Sequence, residues 1–538
     1  MATYYVRTTG NDGNGGTNPE TDAWLTLQNA LDSVSDGDTI DILGDYTPAT
    51  PLNIKVGHSN KTITIDGGSA ITTSFKPAAH AITLDDADVN AVILKFQNMT
   101  IQPNNGAANL LRVGVNDAGC SITFEKCTLK HDAAGDKEIF VIFSDAGGVR
   151  TNYLRVIDCN IYPDDNGSSP CFKIYDLSEL KCTGCTFYTA KSEIFELYNV
   201  ITTLHISGNT ITGATGANDC FFVKGSNLTS ITTANIFNNT GTNLENGIDI
   251  DLKCRMFIYN NDLTINQDSG VENGINIGSN DTTDESEAVS TLLDDIIIMN
   301  NKIRFTGADN AHGIFIGGDC CGAIVANNYV NGGNYGIVIK GKACHVWGNV
   351  VVGANTLYLA GAQGCIVNGN TCYCNSGSAF LVGDNNGFGT ARNPESNVVI
   401  NNIFYATSGA DYAMSWGAIA TSLSCFFDYN CYYGGGTALL KHNNKEYTTL
   451  ALLLADGNWL AATGTNMDTH SINRNPGFIN PASYDFRLAN ISPCLNTGIR
   501  PLCGNTTLGH TTMGSFNPRG TGPTYTNRNR YDFENIYS

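Results

Sequence analysis

The residues of this chain that could do chemistry lie on a short run of strand-like segments. Between Ile248 and Leu359 an apolar pair separated by one residue recurs five times: Ile248 and Ile250, Ile275 and Ile277, Ile314 and Ile316, Ile337 and Ile339, Leu357 and Leu359. Side chains along a strand alternate between its faces, so if these pairs point inward, Asp249, Asn276, Phe315, Val338 and Tyr358 point outward. Two positions further come Asp251, Gly278, Gly317, Lys340 and Ala360, followed by Lys253, Asn280, Asp319 and Lys342. Stacked as rungs about 5 Å apart, these segments bring Asp249, Asp251, Lys253, Asn276, Asp319, Lys340 and Lys342 onto one surface.

Amines and carboxylates on one surface suit two reactions. Proton abstraction beside a carboxylate, as in β-elimination from a uronate, needs a base and a cation to stabilise the developing charge. Lys340, Lys342 and Asp251 are the candidate catalytic groups, and Asp249, Asp251 and Asp319 the candidate oxygen ligands of a Ca²⁺, which the reading allows but does not require. Hydrolysis of a glycosidic bond needs two carboxyl groups about 5 to 9.5 Å apart, and Asp249 and Asp251 meet that spacing along one strand. Outward polar residues are also what any solvated sheet displays, which is the plainer reading of the set. His312 and His345 stand singly and read as structural or exposed. Cys182-Thr-Gly-Cys185 has no second pair at zinc-ribbon distance, so it reads as core, as do Cys320-Cys321 and Cys372-Tyr-Cys374.

The same outward column carries Phe315, Val338 and Tyr358 as an apolar stripe, and Ile324, Trp347 and Ile366 add exposed bulk on the adjacent strand face. Aromatic side chains in a groove stack on sugar rings, whereas an apolar stripe along a rod meets another chain. Phe315, Tyr358, Trp347 and Asn276 are therefore candidate glycan-binding or interface residues. The favoured expectation is a subunit contact, with rods side by side in a homotrimer.

The elements that must position these side chains form a repeat. Ala323-Ile-Val-Ala-Asn-Asn328, Cys344-His-Val-Trp-Gly-Asn349 and Cys365-Ile-Val-Asn-Gly-Asn370 end in asparagines 21 residues apart, and one second strand lies between them, as Gly336-Ile-Val-Ile-Lys340 and Thr356-Leu-Tyr-Leu-Ala360. Strands this short bury their apolar sides only by stacking on neighbours, which is the logic of a solenoid. The strand ends align in a column: Asn98, Cys127, Asn160, Cys185, Asn209, Asn239, Asn261, Asn301, Asn328, Asn349, Asn370, Asn402 and Asn430. Asn tolerates a left-handed turn, and stacked amides hydrogen-bond along a column. Longer steps expel loops, the largest near the acidic Asp281-Thr-Thr-Asp-Glu-Ser-Glu287, read as solvated.

Composition agrees with one long domain of short strands and tight turns, since among 538 residues Gly numbers 58, Pro 14, and charged residues are 15%. The formal charge of −20 opposes binding to nucleic acid or an anionic membrane. No run approaches 18 apolar residues, and Met1-Ala-Thr-Tyr-Tyr-Val6 enters strand-like sequence directly, so neither a spanning helix nor a secretory leader is expected. The 18 cysteines read as small core residues kept reduced, with Cys344 and Cys365 inward, which points to assembly in a cytoplasm.

Residues 1–50 read as an N-terminal strand and a capping helix, started by Asp22, carrying Trp24, Leu27, Leu31 and Val34, and stopped at Gly37. Such a helix would hide the open edge of the first coil. Coils fill 51–440, a closing segment with a short helix near Tyr447–Leu454 fills 441–504, and 505–538 form an irregular arm. That arm carries Arg519, Arg528 and Arg530 with Tyr525, Tyr531, Phe533 and Tyr537, a composition suited to docking.

These termini carry a resemblance. Tyr4-Tyr-Val6, Gly10-Asn-Asp12, Trp24-Leu-Thr-Leu27 and Gly37-Asp-Thr39, with Ser471-Ile-Asn-Arg-Asn-Pro-Gly-Phe478, Asp485-Phe-Arg-Leu488 and Ser492-Pro-Cys-Leu-Asn-Thr-Gly498, resemble the ends of β-helix proteins of the pectate-lyase-like superfamily. The resemblance spans roughly residues 3 to 500. It implies an all-β fold, a single-stranded, right-handed parallel β-helix with an N-terminal helical cap. The superfamily carries lyases, hydrolases, epimerases and phage tailspikes, so it does not select an activity. No compact arginine-lysine or paired-aspartate signature of its lyases or polygalacturonases stands out here. The expected function is accordingly structural: a phage virion protein, capsid decoration or tailspike-like, assembled in the host cytoplasm with other virion proteins and displaying a rod that binds polysaccharide. The alternatives are a polysaccharide lyase acting outside the cell and a non-catalytic carbohydrate-binding protein.

Overall fold

The computed structural model of the chain is an all-β solenoid of parallel strands, the parallel β-helix that the resemblance implies. It describes residues 1–68, 73–77, 80–84, 91–103, 109–113, 120–130, 138–142, 153–163, 169–190, 192–213, 221–250, 255–266, 272–278, 295–307, 311–383, 393–417, 424–434, 436, 438–457, 459, 467–499, 510–511 and 513–514. Each coil has three strands, one more than the repeat suggests. One coil runs Ile324–Ala326 on a first face, Tyr329–Asn331 on a second and Tyr335–Ile339 on a third, before His345–Trp347 returns to the first. Rungs stack in register: Val325, Val346 and Val367 on the first face, Val330, Val351 and Cys372 on the second, Ile337, Leu357 and Phe380 on the third. All nine side chains are fully buried, in one apolar core that extends from Val6 to Met467. On three coils the third face runs straight into the first, through Phe172–Thr183, Phe195–Ser207 and Phe221–Phe237.

The turn from first to second face explains the extra strand. A single left-handed residue makes it: Asn98, Lys126, Asp158, Gly184, Gly208, Asn238, Asn260, Asn300, Asn327, Gly348, Gly369, Asn401 and Tyr429 all have φ between 48° and 68°. Asn and Gly dominate because they reach that conformation at least cost. The residue after each turns inward, and from Asn209 to Asn430 it is an asparagine in a continuous hydrogen-bonded ladder. Asn328 Nδ2 donates to Asn349 Oδ1 at 3.0 Å and to Ile298 O at 2.9 Å, and Asn328 Oδ1 accepts from the Asn301 backbone N–H at 2.9 Å. The turn and ladder roles, which the sequence merges, thus belong to consecutive residues. The ladder position holds Met99 rather than Asn98, and Cys159 rather than Asn160; Asn160 faces solvent while Cys159 Sγ accepts from the Cys127 N–H at 3.4 Å. Burial drives the Cys171 and Cys182 thiols well above their ordinary range, and for Cys344 the hydrogen bond with Cys365 does so first and burial second, which keeps them neutral.

At the N-terminus, helix Leu27–Ser33 buries Leu27, Ala30 and Leu31, and its N-cap is Thr26, whose hydroxyl accepts from the Asn29 N–H. Asp22 does not cap it; that carboxylate accepts from the Gly15 and Thr17 N–H groups instead. The open edge of strand Thr3–Arg7 is covered by the loop between that strand and the helix rather than by the helix itself: Tyr5 N donates to Gly16 O, Trp24 N to Tyr5 O and Arg7 N to Trp24 O, at 2.8 to 3.0 Å. Gly16, at φ 73°, lies so close to the Trp24 ring that a Cβ would sit 2.7 Å from it.

At the other end Trp416, Phe427, His442 and Trp459 pack as an aromatic plug, edge to face except for the tilted Trp416–Phe427 pair. The expected helix is present as Leu450–Leu454. The closing hairpin of Phe478–Asn480 and Asp485–Leu488 lays Phe478 and Phe486 on Tyr405 and Tyr373 of the second face. Of the arm, only residues 510, 511, 513 and 514 are described, so Arg519, Arg528, Arg530 and their aromatic neighbours lie outside the described residues, as does the acidic loop at 281–287. Among the described residues no helix is long and apolar enough to cross a membrane.

Candidate functional site

The third face carries one unbroken outward column. In register it reads Lys173, Glu196, Lys224, Asp249, Asn276, Phe315, Val338 and Tyr358. The sequence alternation identifies its second half; the first half lies on the long strands that pass through the corner between faces. The outward residues are flanked by inward apolar ones, Phe195 and Leu197 about Glu196, Ile248 and Ile250 about Asp249, with Gly225 on one side of Lys224 the exception.

Between Glu196 and Asn276 this column is polar and only partly covered. Lys224 Nζ lies 2.6 Å from Glu193 Oε1, and Ser192 Oγ donates to Glu193 Oε2 at 2.5 Å. Asp249 follows Lys224 on the next rung, and Asn276 Nδ2 donates to Asp249 Oδ1 at 2.7 Å. Burial raises the Asp249 carboxyl above its ordinary range, opposed by the Asn276 hydrogen bond and the Lys224 charge. Asn276 is 5% exposed, and its Oδ1 has no hydrogen-bond partner among the described residues. One rung earlier than Lys224, Tyr198 donates its hydroxyl to Glu196 Oε1 at 2.5 Å, and its ring stacks on Tyr175 at 4.6 Å.

A parallel column beside this one holds Asn246, Asn273 and His312. Asn273 N donates to Asn246 Oδ1 at 2.7 Å, and His312 Nδ1 lies 3.1 Å from Asn273 Oδ1. Burial lowers His312 to about 4, so the imidazole is neutral near pH 7 and serves as a structural hydrogen-bonding group, as expected.

The remaining sequence candidates do not gather here. Lys340 is 1% exposed and lies three rungs from Asp249, roughly 14 Å at 4.8 Å per rung. Neighbouring rungs are close, but the two ends of the proposed set are not. Lys342 sits in the corner leading back to the first face, bridged to Cys321 and Gln363. Asp319 lies in the loop after the next rung but one, its Oδ1 3.8 Å from Cys320 Sγ. Asp251 and Lys253 lie outside the described residues, as does Asn280. Among the described residues no three His, Cys, Asp or Glu side chains converge as metal ligands.

The apolar stripe is also revised. Phe315 and Val338 are fully buried within the chain, in a small cluster with Ala360 that Tyr335 and Tyr358 partly cover. They point away from the solenoid interior as the alternation requires, yet they are not available to a second subunit. Burial is the energetically ordinary outcome, because each such side chain gains about 1.5 to 3 kcal/mol on leaving water. An apolar column that stays open lies on the first face, where Phe257, Ile297, Ile324, His345, Ile366, Val398 and Phe426 run in register. Ile366 is 37% and Phe426 40% exposed, and half-buried Trp347 stands in the column beside them.

No protein-family model and no curated protein matches the chain. Among solved structures it is similar to XylC in complex with xylose, at 9% identity over 82% of this chain and 86% of that one, TM-score 0.32. It is also similar to the mannuronan C-5 epimerase AlgE6 A-module of Azotobacter vinelandii, at 11% identity over 83% and 93%, TM-score 0.27. A third similarity is to pectate lyase Pel9A, at 11% identity over 96% of both chains, TM-score 0.23. At these scores the likenesses carry no conclusion about activity, and the fold rests on the strand pairing itself.

Proposed function

We propose that the protein is a glycan-binding β-helix whose binding surface is the third-face column from Glu196 to Asn276. The observation that carries this is the Asp249–Asn276 pair, a half-buried carboxyl held by a buried amide one rung from Lys224, on the column that also carries Glu196, whose carboxylate accepts from Tyr198 of the Tyr175–Tyr198 stack. Precisely placed polar groups beside aromatic rings are what orient a sugar. Binding does not require turnover. The lyase reading is less well supported, since Lys340 is buried and distant from Asp249.

Display on a larger assembly, in our reading a phage particle in which the chain is a decoration or tailspike-like protein, is supported by the open first-face stripe. Reduced assembly in a cytoplasm is supported by the burial of the described cysteines, all but the partly exposed Cys321. An oligosaccharide array probed with the wild-type protein and with Asp249→Ala tests the binding surface. Binding lost in the variant supports it; binding unchanged in a folded Asp249→Ala protein excludes it.

A further inference from the structure

The first-face stripe and the segment that follows Gly514 fit each other. We propose that the chain's own residues 525–537 lie extended on that stripe, beside the column of Tyr259, Met299 and Trp347. From Phe257 to Phe426 the stripe spans about 29 Å at 4.8 Å per rung, a length of mostly apolar surface that is costly to leave in water. The path of the chain leads to it. Met513 is buried over the second face with Ile403 and Cys431, and the Gly514 N–H donates to Asn401 O at 2.6 Å. The Gly514 carbonyl lies 3.7 Å from where a Cβ on Gly369 would stand. Gly369 and Asn401 are the left-handed turns between the first and second faces, so Gly514 sits on the corner. Ile366 and Val398 stand three residues before those turns, about 10 Å away.

The arm lies outside the described residues, but its sequence has the matching pattern. From Tyr525 to Tyr537 every odd position is aromatic or Asn, and the charges Arg528, Arg530, Asp532 and Glu534 all fall on even positions. An extended backbone sends alternate residues to opposite sides. Tyr525, Tyr531, Phe533 and Tyr537 then share a side suited to an apolar sheet face, and the charges take the side suited to water. At about 3.3 Å per residue this segment reaches about 40 Å, enough to run the length of the stripe. Residues 515–524 supply a linker of up to about 33 Å, more than the distance from the corner requires. A short tether holds the arm near millimolar effective concentration, above that of another molecule's arm in dilute solution, which selects the chain's own segment as the occupant. Charge agrees, since Arg519, Arg528 and Arg530 outnumber Asp532 and Glu534 in a chain of net charge −20. In the isolated chain the arm thus shields the stripe that a larger assembly would meet. This contact concerns the first face and is independent of glycan binding on the third.

The test places the photo-cross-linker p-benzoyl-L-phenylalanine at the position of Ile366 in the full chain, irradiates at micromolar protein and maps the products by mass spectrometry. The expected product joins position 366 to residues 525–537 of the same chain, at a yield independent of protein concentration. The same probe at the position of Thr210, exposed on the second face, should give no such product. Tyr531→Asp combined with Phe533→Asp should cut the yield about tenfold or more, because the burial of one aromatic side chain is alone worth about that factor. Arg528→Ser, on the opposite side of the segment, should leave it unchanged. Each variant is checked for native circular dichroism. The absence of arm peptides at position 366 would overturn the proposal. Arm peptides joined only between chains would also overturn it, making a second copy's arm the occupant. So would a yield unchanged by the Tyr531 and Phe533 substitutions, or one cut as deeply by Arg528→Ser.

Discussion

Replacing Asn328 by alanine removes one step of the asparagine ladder and nothing else of consequence. The lost side chain accepts from two donors of Asn301, its backbone N–H and its Nδ2, and donates to Ile298 O and Asn349 Oδ1. Asn301 Nδ2 keeps its second bond, to Ile258 O, but the Asn301 backbone N–H and the second amide hydrogen are left buried without an acceptor. At about 1 to 3 kcal/mol for each unsatisfied buried group, the expected loss is roughly 2 to 6 kcal/mol. Unfolding entropy near 2.1 cal/mol/K per residue makes a loss of about 4 kcal/mol worth only about 3 to 4 °C in melting temperature if the 538-residue chain unfolds as one unit. Equilibrium urea unfolding followed by circular dichroism is therefore the better assay. The control is the preceding residue: Asn327, at φ 54°, only makes the turn, so Asn327→Gly should change stability by less than about 0.5 kcal/mol. Equal effects at the two positions, or a loss below about 1 kcal/mol for Asn328→Ala, would refute the division between turn and ladder.

Two further outcomes follow from the same geometry. The buried Asp468, whose Oδ1 accepts from Ser471 and Tyr432, is pushed up to about 6, with burial the largest cause. Its folded state prefers the proton, so its contribution to stability is fullest below the ordinary carboxyl pKa near 4 and is lost as pH rises through about 6. Asp468→Asn should thus stabilise the protein at pH 7.5 and not at pH 4, read as the difference from wild type in urea midpoints; an equal gain at both values would rule out ionisation as the cause. On the first face, Ile366→Glu combined with Phe426→Glu should convert any self-associated species to monomer in sedimentation velocity, and an unchanged distribution for an oligomeric wild type would remove that face as the contact.

The coil was legible because inward alternation and the 21-residue step at Asn328, Asn349 and Asn370 repeat without interruption. Where Asn327 and Asn328 stand together, sequence cannot say which turns and which bonds; the backbone dihedral does. Cys159 is hidden in the sequence by its neighbour Asn160, the more conspicuous amide in a column otherwise rich in asparagine. Glu196 and Lys224 escaped notice for a different reason. Their strands run through the corner without Gly or Asn punctuation, so no turn marks where the third face begins. Alternation also reports direction relative to the solenoid and not what lies over a side chain, which is why Phe315 and Val338 were expected in the open. The Asp249 and Asn276 positions were legible, since both depend only on strand period and rung spacing.

A structure determined with a bound oligosaccharide at saturating concentration tests the central claim most directly. The predicted result is a sugar lying along the rungs of Glu196, Lys224, Asp249 and Asn276. A sugar seated on the first-face stripe, or away from Asp249 and Lys224, would contradict it.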